Sequence, residues 1–147
     1  MKRILILCVL IIFCLSVSCY ASSSTILING QEAIISPEMG SVKNISDRTF
    51  VPVRFVLEYL NFRVTWDDTE KVVMGRNSLG AVFIMQVDNN VFSYKDEKGD
   101  FEVIEMDVAP ILFSDEQRTY IPIRFLAQAI GYKVGYDELS ATVTLDK

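Results

Sequence analysis

The chain contains no histidine, and all three of its cysteines, Cys8, Cys14 and Cys19, lie near the N-terminus. Histidine is the most common metal ligand and general base in proteins, so zinc sites, copper sites and Ser–His or Cys–His nucleophile pairs are not expected. Without later cysteines, the rest of the chain forms no disulfide and must be stabilised by a hydrophobic core. We therefore predict no catalytic residues, no bound metal and no cofactor.

Basic residues are also few: 14 Lys and Arg stand against 19 Asp and Glu, a formal net charge of −5 at pH 7. They form no cluster along the sequence, whereas nucleic acids and anionic membrane surfaces require a basic binding surface. We predict a protein that does not bind nucleic acid.

The longest apolar run, residues 4–15, is too short to span a bilayer comfortably. Lys2 and Arg3 precede it, and small residues up to Ala21 follow it, which is the pattern of a secretory signal. We predict a signal peptide over residues 1–21.

The mature chain would then comprise residues 22–147, with no transmembrane segment, and be secreted or held in the cell envelope. In an alternative interpretation, Cys19 is the lipid-anchored first residue of the mature protein.

Two segments of the chain resemble each other: residues 47–75 align without a gap with residues 117–145. Most differences keep shape or charge, as in Phe50 against Tyr120. We call these segments the first and second copy and interpret them as an internal duplication. A unit of roughly 50 residues buries too little surface to be stable alone, so we expect one shared core.

Each copy predicts the order strand, helix, strand, turn, strand. A proline favours an extended residue before it, so the helices should begin at or just after Pro52 and Pro122. Apolar residues at helical spacing follow, up to Asn61 and Gly131, which readily adopt the left-handed conformation of a helix C-terminus. The predicted fold class is α+β, with antiparallel sheet units each packed on a short α-helix.

Hairpins are predicted outside the copies. Asn29-Gly30 between apolar segments is a strong turn signal, and residues 88–90 separate two further strand-like segments.

These residues resemble a known family. The motif Arg-Thr-hydrophobic-hydrophobic-Pro-hydrophobic-Arg occurs in both copies, and the first copy continues to Val-x-Trp-Asp. Over residues 26–147 the chain is similar to the copper amine oxidase N-terminal domain-like, or stalk-type, family. The resemblance implies an antiparallel sheet around a helix and a non-catalytic role without copper chemistry. The chain departs from the family pattern at Asn61, where Gly is usual, and at Tyr136, where Trp is usual.

Arg54 and Arg124 occupy the first helical turn, where the helix dipole disfavours a cation. Two interpretations are possible. In the structural interpretation, Arg54 forms an ion pair with Asp67, and Arg124 forms one with Asp137. In the functional interpretation, the two arginines bind an anion. Their recurrence in both copies favours the structural interpretation. With the helix-starting prolines, these residues form the predicted structural motif: Pro52, Arg54, Asp67, Pro122, Arg124 and Asp137.

Trp66 and Tyr136 are candidate contacts for a glycan or a protein partner. An exposed aromatic ring can stack on a sugar ring, but both residues are expected on the strand face that carries apolar neighbours. Packing in the core is therefore the favoured interpretation.

We predict an exported, non-catalytic binding or structural module whose partner is an envelope glycan or a secreted protein. One alternative is an accessory or inhibitory subunit of a secreted enzyme. Another is a glycan hydrolase using carboxylates such as Glu102, Glu105 and Asp107, which would have to lie together across a cleft. An acidic strand edge that prevents aggregation is the simpler explanation of these three residues.

Overall fold

The computed structural model describes residues 25–137, 139–140 and 142–147. The predicted signal peptide and Cys19 lie outside the described residues. The first four strands, β1 to β4, are Thr25–Ile28, Gln31–Glu32, Lys43–Ile45 and Arg48–Pro52, with a 3-10 helix at Pro37–Met39. Helix α1 follows at Val53–Tyr59, and β5 to β9 are Arg63–Asp67, Val72–Arg76, Val82–Gln86, Val91–Lys95 and Phe101–Glu105. The remaining elements are β10 at Ile111–Phe113, β11 at Arg118–Pro122, α2 at Ile123–Ala129, β12 at Lys133–Asp137 and β13 at Thr142–Asp146.

The described strands form three sheets, so the fold is α+β with strands in the majority. Their orders are β10-β11-β4-β3, β12-β13-β1-β2 and β5-β6-β7-β8-β9. None of the described helices is long and apolar enough to cross a membrane.

Strands β4 and β11 join the two sequence copies. They pair antiparallel, with Val51 opposite Ile121, Phe50 opposite Pro122 and Pro52 opposite Tyr120. Val51 and Ile121 occupy the same position of their copies, so a local two-fold axis passes between them. Corresponding elements of the two copies begin and end at corresponding residues.

The proline and cap signals predicted the helix boundaries correctly. The helices begin at Val53 and Ile123, directly after the two extended prolines. Beyond their C-termini, Asn61 and Gly131 adopt φ values of 63° and 80°. An asparagine and a glycine thus meet the same backbone requirement, since both residue types tolerate positive φ.

The N-terminal hairpin differs in part from its prediction. Asn29 and Gly30 form the expected turn, with φ values of 51° and 76°. The second strand, however, is only Gln31–Glu32, and the other side of β1 pairs in parallel with β13. The period-two pattern of a strand identifies the strand but not its neighbour, which explains why this long-range pairing was not predicted.

One hydrophobic cluster includes residues of both copies and of all three sheets. Its fully buried members include Val51, Leu57, Phe83, Leu126 and Leu145. The prediction that each helix packs on its own sheet unit is not met. Helix α1 contacts β11 as well as β4 and β5, and α2 contacts β4 as well as β11 and β12. The antiparallel β4–β11 pair explains this, because it places each helix beside a strand of the other copy.

Candidate binding clefts

A cleft of about 530 Å³ opens beside the start of α1. Its walls include Arg54 of α1, Trp66 of β5, and Arg118 and Thr119 of β11. We call it the Trp66 cleft.

A second cleft of about 620 Å³ lies beside the start of α2. Arg124 of α2, Tyr136 of β12, and Arg48 and Thr49 of β4 line it. We call it the Tyr136 cleft.

The two clefts are built in the same way from equivalent residues. Each combines the helix start and the following strand of one copy with the Arg-Thr strand of the other copy. This exchange follows from the antiparallel pairing of β4 with β11, which carries each Arg-Thr pair towards the opposite helix. Each cleft therefore requires both copies.

Arg48 and Arg118 are held in place by hydrogen bonds. The Nη1 atom of Arg48 donates to the carbonyl oxygen of Ser46 at 3.0 Å. Arg118 Nη1 donates to that of Glu116 at 2.7 Å, and each acceptor lies two residues before its arginine. These equivalent bonds fix the two guanidinium groups in the cleft walls.

The other edge of each of these guanidinium groups has a different acceptor in the two clefts. Arg48 Nε donates to Asp107 Oδ2 at 3.0 Å, and Arg48 also forms an ion pair with this carboxylate. Hydrogen bonding to Arg48 holds the pKa of Asp107 below its ordinary value. Arg118 Nε instead donates to the carbonyl oxygen of Glu38 at 3.2 Å. The Tyr136 cleft therefore contains an ion pair where the Trp66 cleft contains a bond to the backbone.

Arg54 and Arg124 are more accessible, and their predicted ion pairs are wrong. The Arg54 side chain is 58% exposed, and Arg54 Nε lies 3.9 Å from Glu58 Oε1, one helical turn away. Arg124 is exposed and lies within 4.0 Å of no carboxylate of the described residues.

The predicted carboxylate partners close turns instead. Asp67 Oδ1 accepts the backbone N–H groups of Thr69 and Glu70 at 2.9 and 3.0 Å. Asp137 accepts the Ser140 hydroxyl at 2.8 Å and the Leu139 N–H at 3.0 Å, and the Ser140 bond contributes most to lowering the pKa of Asp137. An aspartate commonly binds backbone N–H groups just after it in a turn, and this local bond replaces the expected long-range pair.

The two aromatic residues differ in burial. Trp66 is half-buried and packs against the core, in agreement with the favoured interpretation. Tyr136 is 50% exposed, so its expected core position is wrong. A tyrosine hydroxyl is favourably hydrated, which makes this partly exposed edge position acceptable for Tyr136.

The three carboxylates considered for glycan hydrolysis do not provide a pair of carboxyl groups that face each other across a cleft. Glu102 and Glu105 are exposed and three positions apart on β9, so they lie on opposite faces of the strand. Asp107 is paired with Arg48. Among the described residues, no group of three or more acidic, cysteine or histidine side chains is placed to hold a metal ion.

A polar network beside the Trp66 cleft was not predicted. Lys43 Nζ lies 2.5 Å from Glu116 Oε1 and 4.8 Å from the centroid of the Phe113 ring. The Tyr120 hydroxyl donates to Glu116 Oε2 at 2.6 Å and accepts the Ser41 N–H at 3.3 Å. The network joins β3 to β11, and no sequence pattern relates residues so far apart in the chain.

Glu116 is the shared acceptor of this network. The hydrogen bond from Lys43 contributes most to holding the pKa of Glu116 below its ordinary value, and the bond from Tyr120 acts in the same direction. Burial contributes most to raising the pKa of Tyr120, and its bond to Glu116 also raises it.

Glu116→Gln is expected to lower the free energy of unfolding at pH 7 by about 1.5–3 kcal/mol, the range for hydrogen bonds to a charged group. A carboxyl group whose pKa is lower in the folded state stabilises the protein fully above its unfolded-state pKa, and this contribution is lost as the pH falls through the folded-state value. The difference between the two proteins in urea titrations should therefore be smaller at about pH 3 than at pH 7, because pH 3 lies below the ordinary glutamate pKa of about 4.3. An equal difference at both pH values would show that the carboxylate charge is not responsible.

The described residues thus form an α+β domain with two related clefts, each of which combines an aromatic side chain with two arginines. A comparison with protein families matches residues 27–145 to the copper amine oxidase N-terminal domain. The chain belongs to this family. Comparisons with curated proteins and with solved structures gave no significant match.

Proposed function

We propose that the protein is an exported, non-catalytic module that binds a glycan of the cell envelope through its two clefts. The observation that carries this proposal is the repeated combination of an accessible arginine with an aromatic ring in one cleft. Arg54 with Trp66, and Arg124 with Tyr136, can supply hydrogen-bond donors beside a stacking surface. The N-terminal signal pattern supports export.

Internal duplication explains why the clefts are built from equivalent residues. We propose that two copies of one strand-helix-hairpin unit associated about the β4–β11 axis and formed both clefts together. Two sites in one chain suit a polymeric ligand, because binding at one site raises the effective concentration at the other.

A non-catalytic role agrees with family membership and with the carboxyl groups. A glycan hydrolase requires an acid whose pKa is raised towards neutrality. Among the described residues, the carboxyl pKa values that are clearly displaced, those of Asp68, Asp107, Glu116 and Asp137, are all lowered. The accessory-subunit alternative requires a large exposed apolar patch. Among the described residues, one face of the five-stranded sheet exposes Met74, Ile84, Phe101 and Val103, with Met74 directly opposite Ile84, so this alternative has a candidate surface.

Trp66 is the only tryptophan of the chain and therefore reports directly on its cleft. Titration with soluble envelope oligosaccharides, both neutral and carboxylated, is expected to shift its fluorescence emission. Arg54→Ala should weaken this binding several-fold while changing the free energy of unfolding by less than about 0.5 kcal/mol, because the side chain is exposed and weakly paired.

Glu58→Gln is the matched control, since it removes the carboxylate 3.9 Å from Arg54 but keeps the guanidinium. It should leave binding of a carboxylated oligosaccharide unchanged or stronger. Emission that no envelope glycan alters, with calorimetry also showing no binding, would contradict the proposed role of the Trp66 cleft.

A further inference from the structure

Three cations lie in one row on the outer face of the five-stranded sheet, away from both helices. Arg63 is opposite Arg76, Arg76 is opposite Val82, and Val82 is opposite Lys95. The inner face of this sheet carries core residues such as Phe83 and Phe92, so alternation along the strands places the row on the outer face. We call Arg63, Arg76 and Lys95 the basic row.

The basic row is exposed and lacks close acidic partners. None of its members lies within 4.0 Å of a carboxylate of the described residues. Two acidic residues of the adjoining β8–β9 loop have other contacts: Asp96 accepts N–H groups within the loop, and Glu97 accepts the Asn77 side chain. The row is therefore open to an external anion.

Two like charges directly opposite on paired strands are unfavourable. The second copy avoids this arrangement, because Lys133, the equivalent of Arg63, is opposite Asp146, the equivalent of Arg76. The fold itself thus accepts an opposite-charge pair at this position. The repulsion between Arg63 and Arg76 is a local feature of the first copy, and a bound anion would relieve it.

We propose that the basic row binds a linear phosphate-bearing polymer without nucleobases, which crosses the five-stranded sheet perpendicular to its strands. Strands are about 4.8 Å apart, so the row extends about 14 Å from β5 to β8 and can contact successive anionic groups. Each of the two adjacent guanidinium groups can donate to the oxygens of its own phosphate, and Lys95 supplies a point charge to a third phosphate. Phe101, 66% exposed and opposite Lys95 at the sheet edge, extends the row with an aromatic ring.

The opposite end of the same face carries Asp67 and Glu105, which would repel the polymer and confine it to the basic row. The site is separate from the two clefts. That the polymer comes from the cell envelope rests on the proposed function. That the basic row binds phosphate groups rests only on the positions and charges of its residues.

The test measures binding of long-chain inorganic polyphosphate to the purified protein by calorimetry at several salt concentrations. With three phosphate contacts, log K should fall with log salt with a slope of about −2, taking about −0.7 per contact as for single strands. Arg63→Gln/Arg76→Gln should weaken binding at least tenfold at low salt and reduce the slope to about −0.7. Glycan binding should shift the Trp66 fluorescence of this variant as much as that of the unmodified protein. This result would show that the basic row and the Trp66 cleft are separate sites.

Lys133→Gln/Lys147→Gln is the matched control, because it removes the same charge from β12 and from the residue after β13, outside the five-stranded sheet. It should leave polyphosphate affinity unchanged. Arg76→Asp provides a second check, since it introduces the opposite-charge pair of the second copy. It should abolish binding and raise the midpoint of thermal unfolding, so loss of binding could not be ascribed to misfolding.

Equal weakening in the control variant would show non-specific attraction and overturn the proposal. Polygalacturonate of equal charge binding as tightly would overturn the assignment of phosphate. Tighter binding of a single-stranded oligonucleotide would assign the row to nucleic acid instead, and would also overturn it.

Discussion

Gly40→Ala is expected to lower the free energy of unfolding by about 2–4 kcal/mol, from backbone strain together with a steric collision. Gly40 has φ 101° and ψ −157°, a conformation that is essentially restricted to glycine. An added Cβ would lie 2.5 Å from the Tyr120 hydroxyl oxygen and 3.2 Å from both Arg118 Cδ and Pro52 Cγ. Tyr120 cannot easily move, because its ring is fully buried and its hydroxyl binds Glu116.

Gly80→Ala is the matched control for this experiment. Gly80 has φ 97°, but no atom lies within 4 Å of the position of its Cβ. Gly80→Ala should introduce backbone strain but no steric collision. Chemical denaturation should therefore show a smaller loss in free energy of unfolding for Gly80→Ala than for Gly40→Ala. Equal losses in the two variants would contradict a specific role for the contact between Gly40 and Tyr120.

Leu126→Ala is expected to lower the free energy of unfolding by about 2–5 kcal/mol, the range for truncating a buried leucine. Leu126 is fully buried in α2, within the second copy. Trp66 lies in the first copy but packs against the same hydrophobic cluster. Because the core is shared, the transition reported by Trp66 fluorescence should shift to lower denaturant as far as the transition reported by far-UV circular dichroism.

The control for this variant is exposed and lies in the same helix: Gln128→Ala should leave both transitions unchanged within about 0.5 kcal/mol. If Leu126→Ala shifted the circular dichroism transition but left that of Trp66 in place, the two copies would unfold independently. The expectation of a single cooperative unit would then be wrong.

The clefts also explain how far site prediction could go from the sequence. The motif residues Arg54, Trp66, Arg124 and Tyr136 were identified as candidates, and the structure places them in the two clefts. Arg48 and Arg118 were not identified as candidate site residues, although they belong to the same repeated motif. Their contribution depends on β4 crossing β11, so each arginine serves the helix of the opposite copy.

Local signals in the sequence determined the elements of this protein. Proline restricts the residue before it, asparagine and glycine accept positive φ, and apolar spacing distinguishes helix from strand, so helix starts, caps and hairpin turns were predictable. Tertiary structure alone decided which distant strands became neighbours: β1 beside β13, and β4 beside β11. Such pairings depend on how the whole chain buries its core. The walls of the clefts are therefore not encoded in any one segment, whereas the basic row forms within the consecutive strands β5 to β8.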